Sequence, residues 1–263
     1  MKTNTYKFKK DLLDKTKDRK SYMHVFQRNH YTPTVFYFPE LKAERKILVP
    51  MKKDKYEELQ SSRGISVNGT ETRRQLLDKV RKEIEEPNYA DLERMNELMR
   101  YANTAKNCNI KRVVEIGFRI PRVLEMYRRV GCDVFGYDVV DFNTKVAQDL
   151  GYNCRTVDFS DQGGQNPEEI NTADLVVCYH VLEHMPRPDI ALRNIYKNMK
   201  KGSLFHVEIP VEPGVPNFQA GHMFPFHPDD MQHFLLHTGF RIHELKVGFS
   251  TTHPNMERYL VSK

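Results

Sequence analysis

The chain has 263 residues, with 41 Lys and Arg against 35 Asp and Glu, four cysteines, no tryptophan and 39% apolar residues. That length supports one large domain, or one domain with an appendage, and is enough to bury a substantial core. No run of about 18 apolar residues offers a membrane-spanning helix, and the polar, Lys-rich Met1–Lys20 lacks the apolar stretch of a secretory leader.

The net charge of +6 is unevenly placed. Residues 1–60 hold 15 Lys and Arg against 8 acids, and the remainder holds 26 against 27. The basic excess therefore belongs to the front of a leader, 1–69, read as a basic N-terminal extension that is partly β or disordered. Its β-looking run is His30–Phe38, followed by the short apolar Ile47–Val49. From 70 to 107 the period becomes helical. Leu76, Leu77 and Val80 mark a first helix that Pro87 stops, and Leu92, Met95, Leu98 and Met99 mark a second. This segment is expected to act as a cap that closes over a site in 108–263.

Beyond residue 107 short apolar strands alternate with helical segments. Strands are expected at Arg112–Ile116, Asp133–Tyr137, Cys154–Val157, Leu175–Cys178 and Leu204–Ile209. Helices are expected at Pro121–Val130, Asn143–Leu150, Asp189–Met199 and Pro228–Thr238. Near-continuous apolar strands separated by helices specify a parallel sheet covered on both faces. The final runs, Arg241–Val247 and Arg258–Val261, are joined too briefly for a parallel crossover and so should pair antiparallel.

In such a sheet ligands bind beyond the carboxyl ends of the strands. The first strand runs into Glu115-Ile-Gly-Phe-Arg-Ile-Pro121, where a glycine permits a sharp turn before the open N–H groups of a helix. Twenty-three residues past Glu115 the second strand closes on Asp138, placed to accept the hydroxyls of a ribose. The third closes on Asp158-Phe159, an acid and an aromatic that suit an adenine. The fourth closes on Tyr179-His-Val-Leu-Glu-His184 with Pro186.

These residues resemble those of class I S-adenosylmethionine-dependent methyltransferases of the small-molecule type whose fourth strand leads into "HVLEH…P". The late Gly221-His222…Phe226…Gly239-Phe240 pattern belongs to the same likeness, which spans 108–263. The resemblance implies an α/β, Rossmann-like, seven-stranded, mostly parallel sheet with an antiparallel last strand and helices on both faces. It implies S-adenosyl-L-methionine as cofactor. Glu115 and Gly117 would lie near the methionine part, Asp138 on the ribose, Asp158 and Phe159 at the adenine, and Tyr179 and His180 beside the methyl group, with Phe118, Arg119 and Val139 also at the cofactor. The chain departs from the family's acid-x-Gly-x-Gly-x-Gly loop, because Arg119 and Pro121 replace two glycines.

The expected reaction is an in-line displacement onto an oxygen or nitrogen of a small molecule. A histidine serves as base: His222 first, then His180 or His184. Two further readings stand beside it. One is an RNA or protein methyltransferase contacting phosphates through Lys2–Lys20; the other is a binding protein that keeps the fold without the cofactor. His180–His184 also matches H-x-x-E-H, a zinc-peptidase pattern that needs a regular helix, and Pro186 argues against one. His233 and His237 are four apart without a third ligand, so no metal is assigned. Cys108, Cys132, Cys154 and Cys178 form no C-x-x-C pair. Reduced thiols in a cytoplasmic protein are the expectation.

Overall fold

A computed structural model describes residues 31–50, 72–86, 88–104, 109–160, 167–214, 216, 221–248 and 255–263. The basic run Lys2–Lys20 and Cys108 lie outside the described residues.

The β-looking run near the N-terminus is half of a hairpin. Strand β1 (Tyr31–Phe38) pairs antiparallel with β2 (Ala43–Pro50), from Tyr31 opposite Pro50 to Phe38 opposite Ala43. Phe38 and Ile47 are buried in the main core, and Phe38 meets the rings of Phe224 and Phe234 edge-on at 5.3 and 5.8 Å. Two hydrogen bonds from the Arg45 guanidinium to Asp230, at 2.8 and 2.5 Å, fix the hairpin to the rest of the chain.

Helix α1 (Arg73–Glu85) begins with a capping box between Thr72 and Gln75, which satisfies two open N–H groups of its first turn. Its buried residues are Leu76, Val80 and Ile84. Helix α2 (Tyr89–Thr104) departs from its apolar stripe. Asp91, Arg94 and Leu98 face inward, while Leu92 and Met99 stay exposed. Helical period alone favoured Leu92, Met95, Leu98 and Met99. The helix is turned by the partners of Arg94, which donates to Asp91 and to Glu208 in a buried ion cluster.

The large sheet then builds as expected: β3 (Arg112–Ile116), α3 (Arg122–Arg129), β4 (Asp133–Asp138), α4 (Asp141–Asp149), β5 (Cys154–Thr156), β6 (Leu175–Tyr179), α5 (Pro188–Asn198), β7 (Leu204–Pro210), α6 (Asp230–Thr238), β8 (Arg241–Val247) and β9 (Met256–Ser262). Strand order is β5-β4-β3-β6-β7-β9-β8, with β9 antiparallel to both neighbours and the other pairings parallel. Alternation splits the strands between two cores. Val114, Ile116, Val176, Cys178 and Val207 pack with α5, α6 and the hairpin, whereas Val113, Val134, Leu175 and Val177 pack with α1, α2 and α3. Helix α6 stops at Gly239, whose φ of +110° supplies the left-handed cap.

The chain leaves β3 toward β4 on one side and returns at β6 on the other. The topological switch point therefore lies between the ends of β3 and β6, where a ligand crevice is expected. Among the described residues no helix is long and apolar enough to cross a membrane.

Candidate functional site

A cleft opens at that switch point. Its enclosed volume is about 130 Å³. The ends of β3, β4, β5 and β6 all contribute to its lining, and none of the lining residues comes from α1 or α2.

The turn after β3 is set by Gly117, at φ +76°, whose N–H donates to the Tyr137 carbonyl at 2.7 Å. A Cβ at Gly117 would stand 2.3 Å from Cγ2 of Val181, so only glycine lets the two strand ends approach. Arg119 takes φ +46°, a left-handed conformation that glycine adopts without strain. Its side chain is exposed, and its backbone N–H donates to Oδ2 of Asp138 at 2.8 Å. The loop thus keeps a glycine-like backbone path despite the substitution, with Arg119 exposed at the lining of the cleft.

Asp138 is buried at the end of β4. Its Oδ1 accepts from the Val140 N–H at 2.8 Å and from Asn143 Nδ2 at 3.2 Å. Burial pushes its carboxyl upward, and the surrounding N–H donors oppose that. Val139 lies beside it in the lining. After β5, Asp158 and Phe159 also line the cleft; Asp158 accepts from Ser160, and Phe159 packs edge-on against Tyr137 at 5.6 Å.

Four expected residues, Glu115, Phe118, Tyr179 and the favoured base His222, are absent from the cleft lining. Glu115 and Tyr179 alternate with the cleft residues Ile116 and His180, and Phe118 is buried against Gly136 in the core. Glu115 is fully buried, and burial raises its carboxyl well above the usual range. Tyr179 donates to or accepts from His206 Nδ1 at 2.8 Å, under the Arg94 guanidinium at 4.5 Å from its ring. A sequence read by strand ends does not say which of two successive residues faces the ligand.

His180 sits at φ +57° with both ring nitrogens beside carboxylates: Nε2 2.9 Å from Glu208 and Nδ1 3.4 Å from Glu183. Burial opposes its charge, but the two carboxylates outweigh burial and raise its pKa to about 9. With neither nitrogen left over, it is poorly placed to take a proton from a substrate. Glu208 is the residue that sequence reasoning missed. It accepts from His180, Arg94 and Arg258 at once. Burial works against its charge, but His180 and Arg94 prevail and hold its carboxyl well below the usual range. The signal was a single acid in the otherwise uncharged β7, since a buried carboxylate needs partners.

Past β6 the chain makes one 3-10 turn, Leu182–His184. The H-x-x-E-H residues therefore share no regular helix, and the zinc-peptidase geometry is excluded. The carbonyl of Glu183 accepts from the N–H groups of Met223 and Phe224 at 2.7 and 3.1 Å, which docks the late loop onto this turn. His184 Nδ1 contacts the Gly221 carbonyl at 3.0 Å, and its ring meets His222 edge-on at 4.9 Å. His222 Nδ1 lies 2.5 Å from Glu212. One donor atom from each of Glu183, His184 and His222 falls within 4.8 Å of the others, while His233 and His237 are exposed on α6. Cys178 is fully buried, and burial raises its thiol well above the ordinary range, so it is no nucleophile.

The lining suits an adenosyl sulfonium. A Cβ would fill the approach at Gly117, the buried carboxylate of Asp138 closes the second strand end, and an acid with an aromatic flanks the third.

A family model described as a methyltransferase domain matches residues 71–245. Among solved structures the chain is similar to the [4+2]-cyclase SpnF, at 14% identity and a TM-score of 0.53, covering 80% of this chain and 94% of that one. It is similar to an S-adenosylmethionine-dependent methyltransferase from Clostridium acetobutylicum ATCC 824, at 11% identity and a TM-score of 0.51, covering 68% and 93%. These likenesses speak to the fold. No curated protein matches the sequence.

Proposed function

The chain belongs to the methyltransferase-domain family, of class I and S-adenosylmethionine-dependent, and from that premise we propose that it methylates an oxygen or nitrogen atom of a small molecule. The observation that carries the reading is the cleft at the switch point, where Gly117, Asp138 and Asp158 meet although the glycine-rich loop is altered. When bound, the cofactor supplies a methyl group activated on a sulfonium.

The residues divide the work along the cleft. Asp138 with Val139 holds the ribose, Asp158 with Phe159 receives the adenine, and the Gly117–Arg119 backbone borders the methionine part. His180, fixed by Glu208 and Glu183, presents a positive edge beside the reaction centre. His184 and Met185 line the acceptor end, and the proton of a hydroxyl or ammonium acceptor leaves through the cluster of Glu183, His184 and His222. Support for a small acceptor comes from the fixed position of the late loop: the segment carrying His222 is tied to Glu183 on one side and, through Leu48 N–H to Met223 carbonyl at 3.1 Å, to the hairpin on the other.

The test is label transfer by the full chain from methyl-labelled S-adenosylmethionine into cell extract separated into small molecules, RNA and protein. Label in the small-molecule fraction is expected. Label confined to RNA or protein overturns the acceptor class. Absence of both label and S-adenosylhomocysteine overturns the transferase reading.

A further inference from the structure

We propose that Glu183, His184 and His222 form a binding site for a divalent transition-metal cation of the zinc type at the edge of the cleft. Glu183 is 1% exposed, and neither of its carboxylate oxygens completes a hydrogen bond. The neighbouring ring nitrogens stand off at 3.4 Å, from His180, and 3.9 Å, from His184. A buried carboxylate is costly unless it is paired or coordinates a metal; His180 offers this one an ion pair at 3.4 Å, but neither oxygen completes a hydrogen bond, and both are aimed into a cluster of imidazoles.

The two histidines are oriented as ligands. Nδ1 of His184 donates to the Gly221 carbonyl, which places the ring's lone pair on Nε2, the nitrogen 3.9 Å from Glu183. Nδ1 of His222 is held by the Glu212 carboxylate at 2.5 Å. That carboxylate–imidazole contact fixes the tautomer and raises ligand basicity in metal sites. Two imidazoles and one carboxylate are the donor set of catalytic zinc centres that keep a position open. With metal–ligand distances of about 2.0–2.2 Å, the donor atoms, now within 4.8 Å of one another, would draw closer on binding.

The backbone is built for such a clamp. Glu183 and His184 share one 3-10 turn, and His222 belongs to the segment whose Met223 and Phe224 N–H groups bond to the Glu183 carbonyl. His180 is not part of the set, because both its nitrogens already face carboxylates.

His184 also lines the cleft, so the cation borders the acceptor end. If the methyltransferase reading holds, the open position takes an acceptor bearing an oxygen donor. The binding site does not depend on that reading.

The full chain is stripped with chelator and titrated with Zn²⁺ and, separately, with S-adenosylhomocysteine, by calorimetry and thermal shift. One equivalent of Zn²⁺ is expected to bind with a rise in Tm. His222→Ala and Glu183→Gln should each weaken zinc binding by about 10-fold or more, and Glu212→Gln by about 10-fold through the orienting contact. Circular dichroism verifies the fold of each variant, and His222→Asn replaces any that fails it. No zinc uptake, or uptake equal in wild type and His222 variants, overturns the site. S-adenosylhomocysteine binding without zinc binding overturns this inference alone; zinc binding without S-adenosylhomocysteine binding keeps the site and overturns the cofactor reading.

Discussion

His206 gives the structure a pH dependence that can be worked out in advance. It lies on β7, 3% exposed, with Nδ1 at 2.8 Å from the Tyr179 hydroxyl and the ring edge-on to Tyr179. Burial, then the neighbouring Arg258 guanidinium, press its pKa down to about 3, against a lesser upward pull from Glu208. In the unfolded chain a histidine titrates near 6.5. Below that pH the unfolded state takes a proton that the folded state refuses, so stability falls as the pH drops, until the folded pKa is reached. Between pH 7 and pH 5 the loss is about 2 kcal/mol from this one group, at about 1.4 kcal/mol per unit of separation. Carboxylates held down in the fold, such as Glu183 and Glu208, act mainly below their unfolded pKa near 4.3. Groups raised in the fold, Glu115, Asp138 and His180, act with the opposite sign but are common to the wild type and a His206 variant, so a comparison of the two isolates His206.

The assay is urea denaturation of wild type and His206→Gln at pH 7, 6 and 5. The other downshifted histidines, His227 and His243, are common to both proteins and cancel in the difference. Wild type should lose about 2 kcal/mol more than the variant across this range. Parallel curves, within about 0.5 kcal/mol, would refute the claim that His206 is held neutral by burial.

Three other substitutions probe the site and its support. Gly117→Ala places a methyl group 2.3 Å from Val181 at φ +76°; left-handed strain and overpacking together should cost about 2–4 kcal/mol, with at least a tenfold loss of S-adenosylhomocysteine affinity by calorimetry. Arg119→Gly relieves φ +46° while keeping the N–H bond to Asp138. It should bind S-adenosylhomocysteine within about threefold of wild type and show an equal or higher Tm, since glycine meets no steric penalty there. Arg94→Met removes one partner of the buried Glu208. It should destabilise by about 3 kcal/mol or more in chemical denaturation, because an ion pair broken on one side leaves an uncompensated charge.

The sheet was legible because its strands are short apolar runs that end in glycine or acid, and those ends mark the cleft. Asp138, Asp158, Phe159 and Gly117, read in this way, line the cleft. The face on which each side chain emerges was not. Glu115 and Tyr179 belong to the same strand ends, but a shift of one residue sends a side chain through the sheet. Helix α2 misled for a related reason. Its period is apolar at Leu92 and Met99, yet the buried face follows Arg94, whose acceptor Glu208 lies far along the chain on β7. The same separation hid the clamp on His180, which joins residues from β6, β7 and the following turn. Arg119 was the residue most at odds with the family's pattern, and only backbone geometry shows that it follows a glycine's path.

The central claim is that this altered loop still forms a cofactor site around Asp138. Calorimetric titration of S-adenosylhomocysteine into the full chain, beside Asp138→Ala, tests it most directly. The account predicts one site per chain in the wild type and at least a tenfold weaker one in the variant, since a hydrogen bond to a charged group contributes about 1.5–3 kcal/mol. No heat and no thermal shift at millimolar ligand in a folded wild-type chain would contradict it.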